Sequence, residues 1–210
     1  MDFHIWLAFA SASIALLLIP GPTVLLVLSY AISQGRQVAL ATVAGVALGD
    51  LLAMSASLAG LGALVLASAT LFTVLKWIGA AYLVYLGIKL FRSAPSTSLE
   101  SLDETPKASS ARVFVHSAAV TALNPKSVVF FIAFVPQFIS PEAALAPQFV
   151  LLIATFVGFA AINALAYALL ADKLRRRIAY PSVLPILTRV GGGALIAMGM
   201  ATAAFRRSTS

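Results

Sequence analysis

Ile14-Ala-Leu-Leu-Leu-Ile-Pro20-Gly21-Pro22-Thr23-Val-Leu-Leu-Val-Leu28 is the stretch on which the fold turns. It is apolar on both sides and carries no charge, yet proline and glycine stand in its middle. Proline has no N–H and clashes with the preceding turn, and glycine frees the backbone, so a helix here must break. In hydrocarbon each unpaired backbone group costs several kcal/mol, and such a break survives only where protein or water covers it. Pro22 suits the first position of the half-helix that follows. The exposed N–H groups and positive dipole end of that half-helix favour an anion such as a carboxylate. The ordinary alternative is a packing kink, since proline and glycine are common in membrane helices.

The rest of the chain has the same character. Hydrophobic residues make up 61% of it and charged residues 10%, against about 25% charged in a soluble domain. Lipid is the economical partner for so much apolar surface. There is no cysteine, so neither a disulfide framework nor a thiolate metal site can form. His4 and His116 lie far apart, which argues against a metal site, and nothing calls for a cofactor. The net charge of +7 sits mainly between apolar runs and reads as topology rather than nucleic-acid binding. The N-terminus lacks the basic start of a signal peptide and reads as a retained membrane helix.

A spanning helix needs roughly 20 largely apolar residues. Six stretches qualify: about Ile5 to Ser33, Val38 to Leu66, Phe72 to Phe91, Val113 to Ile139, Ala146 to Ala171 and Leu184 to Phe205. The first is broken near Pro20 and the fourth near Asn124-Pro125. Residues 93–112, rich in Ser, Thr and Pro, form a solvated linker between a first half, 1–92, and a second, 113–210. With six crossings, Arg36, Lys89, Arg92, Lys107, Arg112 and the Lys173 to Arg177 cluster fall on one side. The positive-inside rule puts that side, linker included, in the cytoplasm and both termini outside. If the first segment does not cross, the N-terminus moves inside and the rest stands.

The halves resemble each other in order. Pro20-Gly21-Pro22 answers to Asn124-Pro125-Lys126. Gly45 precedes Asp50 by five residues, as Gly158 precedes Asn163, and Gly79 and Gly87 are spaced as Gly191 and Gly199. Gly45 and Gly158 lie 113 residues apart, and Gly79 and Gly191 lie 112 apart. A unit with an odd number of spans places its second copy upside down. The fold expected is therefore all-α and membrane-embedded, with six helices as two inverted three-helix repeats, an architecture of secondary transporters.

A few residues carry chemistry. Asp50 is the acidic residue well inside an apolar segment, and it can carry a proton, bind an ammonium, or pair with Lys126. Lys126 lies inside the apolar stretch from Val120 to Val135, so it should face a cavity or a partner rather than snorkel. Asn163 either joins the site or bonds a neighbouring helix. The candidate binding set is Pro20, Gly21, Pro22, Thr23, Asp50, Asn124, Pro125, Lys126 and Asn163. Gly45 and Gly49 form a small-xxx-small pattern and read, with Gly79 and Gly87, as helix-packing positions. Trp77, Tyr82 and Tyr85 read as interfacial or packing aromatics, and His116 as interfacial. No zinc-protease motif, P-loop or nucleotide fingerprint is present.

Pro20-Gly21-Pro22, Gly45-Val-Ala-Leu-Gly49-Asp50, Trp77-Ile-Gly79-Ala-Ala-Tyr82-Leu-Val-Tyr85-Leu-Gly87-Ile-Lys89, and Leu123-Asn124-Pro125-Lys126 with Phe130-Phe131 follow in order. In these motifs the chain resembles the lysine exporter (LysE/RhtB) family of amino-acid exporters over nearly its whole length. The Asn-Pro-Lys form is more like the homoserine/threonine branch than the lysine/arginine branch. The resemblance implies export of amino acids or close derivatives across the bacterial inner membrane, driven by the proton gradient. It implies a small-molecule substrate and a lipid bilayer as partners, with a homodimer open through glycine-rich faces. On this reading the substrate carboxylate meets the half-helix after Pro22, or Lys126. Its ammonium meets Asp50 or half-helix carbonyls, and protonation of Asp50 competes with cation binding. The contrasting expectation is an intramembrane enzyme or scaffold acting on lipid or a partner protein, for which Asp50 and Lys126 are sparse equipment.

Overall fold

A computed structural model describes residues 1–19, 21–34, 38–67, 69–92, 108–140 and 142–171, with 189, 190, 192, 193, 196, 197 and 200. Pro20, most of the linker, the Lys173 to Arg177 cluster, Gly191, Gly199 and most of the expected sixth helix lie outside these residues. Among the described residues the chain is helical throughout and no strand occurs.

Helix α1 (Phe3–Leu18) starts on Asp2, whose side chain accepts from the His4 N–H. It stops where Ile19 turns extended, as the residue before a proline must. Helix α2 (Pro22–Gln34) leaves at 55° to it. Helices α3 (Ala39–Ala67) and α4 (Ala69–Arg92) complete the first half. In the second half α5 (Ser110–Ala122) is capped by Ser109, whose hydroxyl accepts from the Arg112 N–H. Asn124 is extended before Pro125, and α6 (Pro125–Val129) follows at a 42° bend. It runs on through a π-helical turn, Phe130–Phe134, and a 3-10 turn, Val135–Phe138. Helix α7 (Leu145–Leu169) comes next, and buried Gln148 ties its start to the preceding loop through Ser140 and Ala144.

Both breaks expected from the prolines are therefore present. Helix α3 over Ala39–Gly60 and helix α7 are each long and apolar enough to cross a membrane, and each bent pair can supply one further crossing. Leu40, Val150 and Ile162 turn outward with two thirds or more of their surface exposed, which suits lipid. Trp77 and Tyr85 on α4 are also exposed, as membrane-facing aromatics would be.

The halves hold each other crosswise. Helix α3 lies against α5 because Gly45 and Gly49 present no side chain. A Cβ on Gly45 would meet the Phe114 carbonyl and Ser117 Cβ, and one on Gly49 would come within 2.6 Å of the Ala118 carbonyl. Helix α7 lies against α1, where the Trp6 indole donates to Thr155 Oγ1 at 3.0 Å. Thus α3 packs on the first segment of the second half and α7 on the first segment of the first, while α3 and α7 also pack on each other. Gly87 meets Gly192 and Ile196 in the same close manner. Gly158 differs from its counterpart Gly45, since a Cβ there would meet nothing within 4 Å. The core is sealed by an aromatic cluster: Phe131 meets Phe156 edge-on at 4.8 Å, Phe130 stacks on Phe134 at 5.1 Å, and Phe9 of α1 packs on Phe138 at 5.5 Å. These contacts are worth about 0.5–1.5 kcal/mol each beyond the area they bury.

Candidate substrate site between the two broken helices

A helix end leaves its last four carbonyls without partners. At the end of α1, inside an apolar protein, all four find donors. The Lys126 ammonium donates to Leu16 O at 3.0 Å and to Ile19 O at 2.8 Å. Asn163 Nδ2 donates to Leu17 O at 3.1 Å, and the Tyr167 hydroxyl donates to Leu18 O at 3.3 Å. All three side chains come from the second half. Asn163 and Tyr167 are four residues apart on α7 and so share one face. The Lys126 charge also suits the negative end of the α1 dipole.

The second break is satisfied locally. Asn124 Oδ1 accepts from the Lys126 N–H at 3.1 Å, and the Asn124 N–H bonds to Thr121 O at 3.1 Å. Pro125 then fills the helix position that needs no N–H. Besides Lys126, Asn124 also crosses to the first break: its Nδ2 donates to Thr23 Oγ1 at 3.1 Å, with Thr121 Oγ1 also 3.5 Å from it.

Asp50 is delivered to this junction by the glycine beside it. Because Gly49 lets α3 touch α5 at Ala118 and Thr121, the next residue is brought up to the second break. Asp50 is 2% exposed, and its Oδ1 has no hydrogen-bond partner among the described residues. Thr23, Asp50, Asn124, Lys126 and Asn163 all line one cavity of about 30 Å3. That is room for about two water molecules.

Five of the nine candidate residues thus share a cavity. Pro22 and Pro125 are exposed and start the half-helices without lining it. Gly21 lies behind Lys126, where a Cβ would stand 3.4 Å from the ammonium. Pro20 is outside the described residues. Tyr167 and Ser127 also line the cavity and were not among the candidates. The spacing of Tyr167 from Asn163 could have found the first; nothing in the sequence marks the second.

The family model for LysE type translocators matches residues 14–204, which takes in both breaks and every residue of the cavity. The chain belongs to the LysE type translocator family. As a member it is a membrane transporter with a small-molecule substrate, not an enzyme, and the expectation of an intramembrane enzyme falls. A homoserine/homoserine lactone efflux protein of Salmonella typhimurium is 33% identical over 99% of this translocator and its own full length. An uncharacterized membrane protein of Vibrio cholerae is 37% identical over 95% of this chain and 97% of its own. The membrane protein YrhP of Bacillus subtilis, also uncharacterized, is 25% identical over 95% of this chain and 98% of its own. No solved structure matches.

Proposed function

We propose that this translocator exports amino acids or close derivatives, homoserine-like zwitterions foremost, across the bacterial inner membrane, and that proton entry drives the export. The observation that carries the proposal is the meeting of the two broken helices, one from each half, at a single cavity that also holds Asp50 and Lys126. A buried cation, a buried carboxylate and a helix start that favours anions are the partners a small zwitterion needs. Thr23 and Val24 line the cavity in the first turn of α2. Their N–H groups suit a carboxylate.

The Salmonella relative is named for homoserine and for homoserine lactone. The two compounds share an ammonium, and only the first has a free carboxylate. Carried to this chain, that pairing makes the ammonium the group recognised in every substrate and the carboxylate an addition. Protonation of Asp50 on the outer side would weaken cation binding in the cavity and so favour release of the substrate, and its deprotonation inside would ready the site again.

The proposed architecture is six crossings in two inverted repeats, with residues 93–112 and the Lys173 to Arg177 cluster in the cytoplasm. The crosswise packing of α3 on α5 and α7 on α1 supports it. A homodimer finds less support, because the Gly45, Gly49 and Gly87 faces are filled within one chain.

Purified protein in liposomes, tested with a panel of labelled amino acids, decides the matter. Counterflow of L-homoserine or another neutral amino acid, faster with an imposed proton gradient, is expected. Absence of counterflow for every panel member would refute the reading.

A further inference from the structure

An exporter that accumulates its cargo outside must turn back empty. With no ammonium at the end of α1, the carbonyl of buried Ile19 would have no donor among the described residues, while Leu16 O would keep only the Ile19 N–H at 3.2 Å, and an unpaired carbonyl is costly in a dry interior. The Lys126 ammonium holds both Leu16 O and Ile19 O. Such a pair of helix-end carbonyls is also what an amino-acid ammonium would seek.

We propose that Lys126 is a tethered stand-in for the substrate ammonium: it occupies the α1 carbonyls in the empty carrier and yields them to the substrate. The inference rests on the exporter reading and adds the step by which the carrier resets. Three features of the site fit it. Two of the three donors of Lys126 are spent on backbone oxygens, and among the described residues none is spent on a side-chain carboxylate. Asp50, on the same cavity, keeps Oδ1 without a partner among the described residues and offers the displaced ammonium a place to go. Gly21 leaves the space beside the ammonium open, since a Cβ there would stand 3.4 Å from Nζ. Two cations cannot share the carbonyls without mutual repulsion in a poorly screened site, so binding becomes an exchange of one ammonium for another. The Asn124 cap holds the Lys126 N–H, so the side chain can leave the carbonyls while its backbone keeps that bond.

The consequence for substrates is that an ammonium is required and a carboxylate is not. The consequence for kinetics is a split between two modes. Exchange runs with cargo in both directions and never needs the empty carrier, whereas net efflux does.

Lys126→Gln removes the charge while its amide can still donate to a carbonyl. In liposomes loaded with the panel amino acid that counterflows fastest, downhill net efflux should fall at least tenfold further than exchange does. Equal loss of both modes in a monodisperse, membrane-inserted variant would overturn the proposal, as would undiminished net efflux. Should the variant not fold, wild-type protein carries the test through the 2-hydroxy acid that replaces the ammonium of that amino acid with a hydroxyl. A tenfold excess of it should leave exchange unaffected, and inhibition would overturn the proposal. If wild type shows no counterflow at all, the exporter reading itself fails, and the stand-in role with it.

Discussion

The two breaks solve the same problem in opposite ways. At the second, Asn124 caps the helix that follows it and Pro125 removes the need for one donor, so residues adjacent in sequence suffice. At the first, the end of α1 relies on Lys126, Asn163 and Tyr167, which lie more than a hundred residues away. The second break is a finished piece of local structure. The first is complete only while the other half stays in place. A site meant to open should be built from the second kind of bond, because moving one half against the other uncovers carbonyls and frees an ammonium together. The difference teaches that weak internal symmetry in sequence need not give symmetrical chemistry: Asp50 lies in one half, Lys126 in the other, and Asn163 is spent on Leu17.

The comparison can be broken most forcefully at Asp50. Asp50→Asn should abolish proton-stimulated export, read as vesicle transport falling to the level of protein-free liposomes, with the protein still in the membrane. Adding Asn163→Asp to move the carboxylate to the matching place should not restore it. An ionised carboxylate only accepts, and it would face the Leu17 carbonyl, which also only accepts. Rescue by this swap would mean that the halves are interchangeable after all.

Next in size is a matched pair of glycines. Gly49→Ala pushes a methyl group against Ala118 and Thr121 and should destabilise the protein by about 1–3 kcal/mol in detergent unfolding. Gly158→Ala meets nothing and should stabilise by up to about 1 kcal/mol through helix propensity. Asn124→Ala removes the local cap and the link to Thr23, and should cost about 0.5–2 kcal/mol in the same assay. Smallest is Tyr167→Phe, which deletes one donor at the first break. Hydrogen bonds between membrane helices average about 0.6 kcal/mol, and a loss of that order is expected.

Much of this was legible in the sequence. Proline dictates a break wherever it falls inside an apolar run, so both interruptions and the half-helices around them could be read directly. The cost of charge in hydrocarbon turned Asp50 and Lys126 inward, and Gly45 and Gly49 announced a close helix contact. What could not be read is which group each inward side chain meets. A backbone carbonyl has no residue signature, so nothing in the chain says that Lys126 bonds to Leu16 and Ile19 rather than to Asp50. Tyr167 could have been found from its spacing to Asn163, but not the carbonyl that it meets. The π-helical turn at Phe130–Phe134 was hidden too, because it answers to packing of the aromatic cluster and not to local propensity.

The central claim is that the two breaks adjoin and enclose the substrate. The chain has no cysteine, so a Thr23→Cys, Thr121→Cys pair can be followed alone. The two hydroxyls are 3.5 Å apart, close enough for a disulfide after a small movement. Oxidation in native membranes should join them within one chain, consuming both free thiols counted by maleimide labelling, and saturating substrate should slow the reaction. Two thiols that each react with maleimide but never join, or joining at a rate that substrate leaves unchanged, would contradict the account.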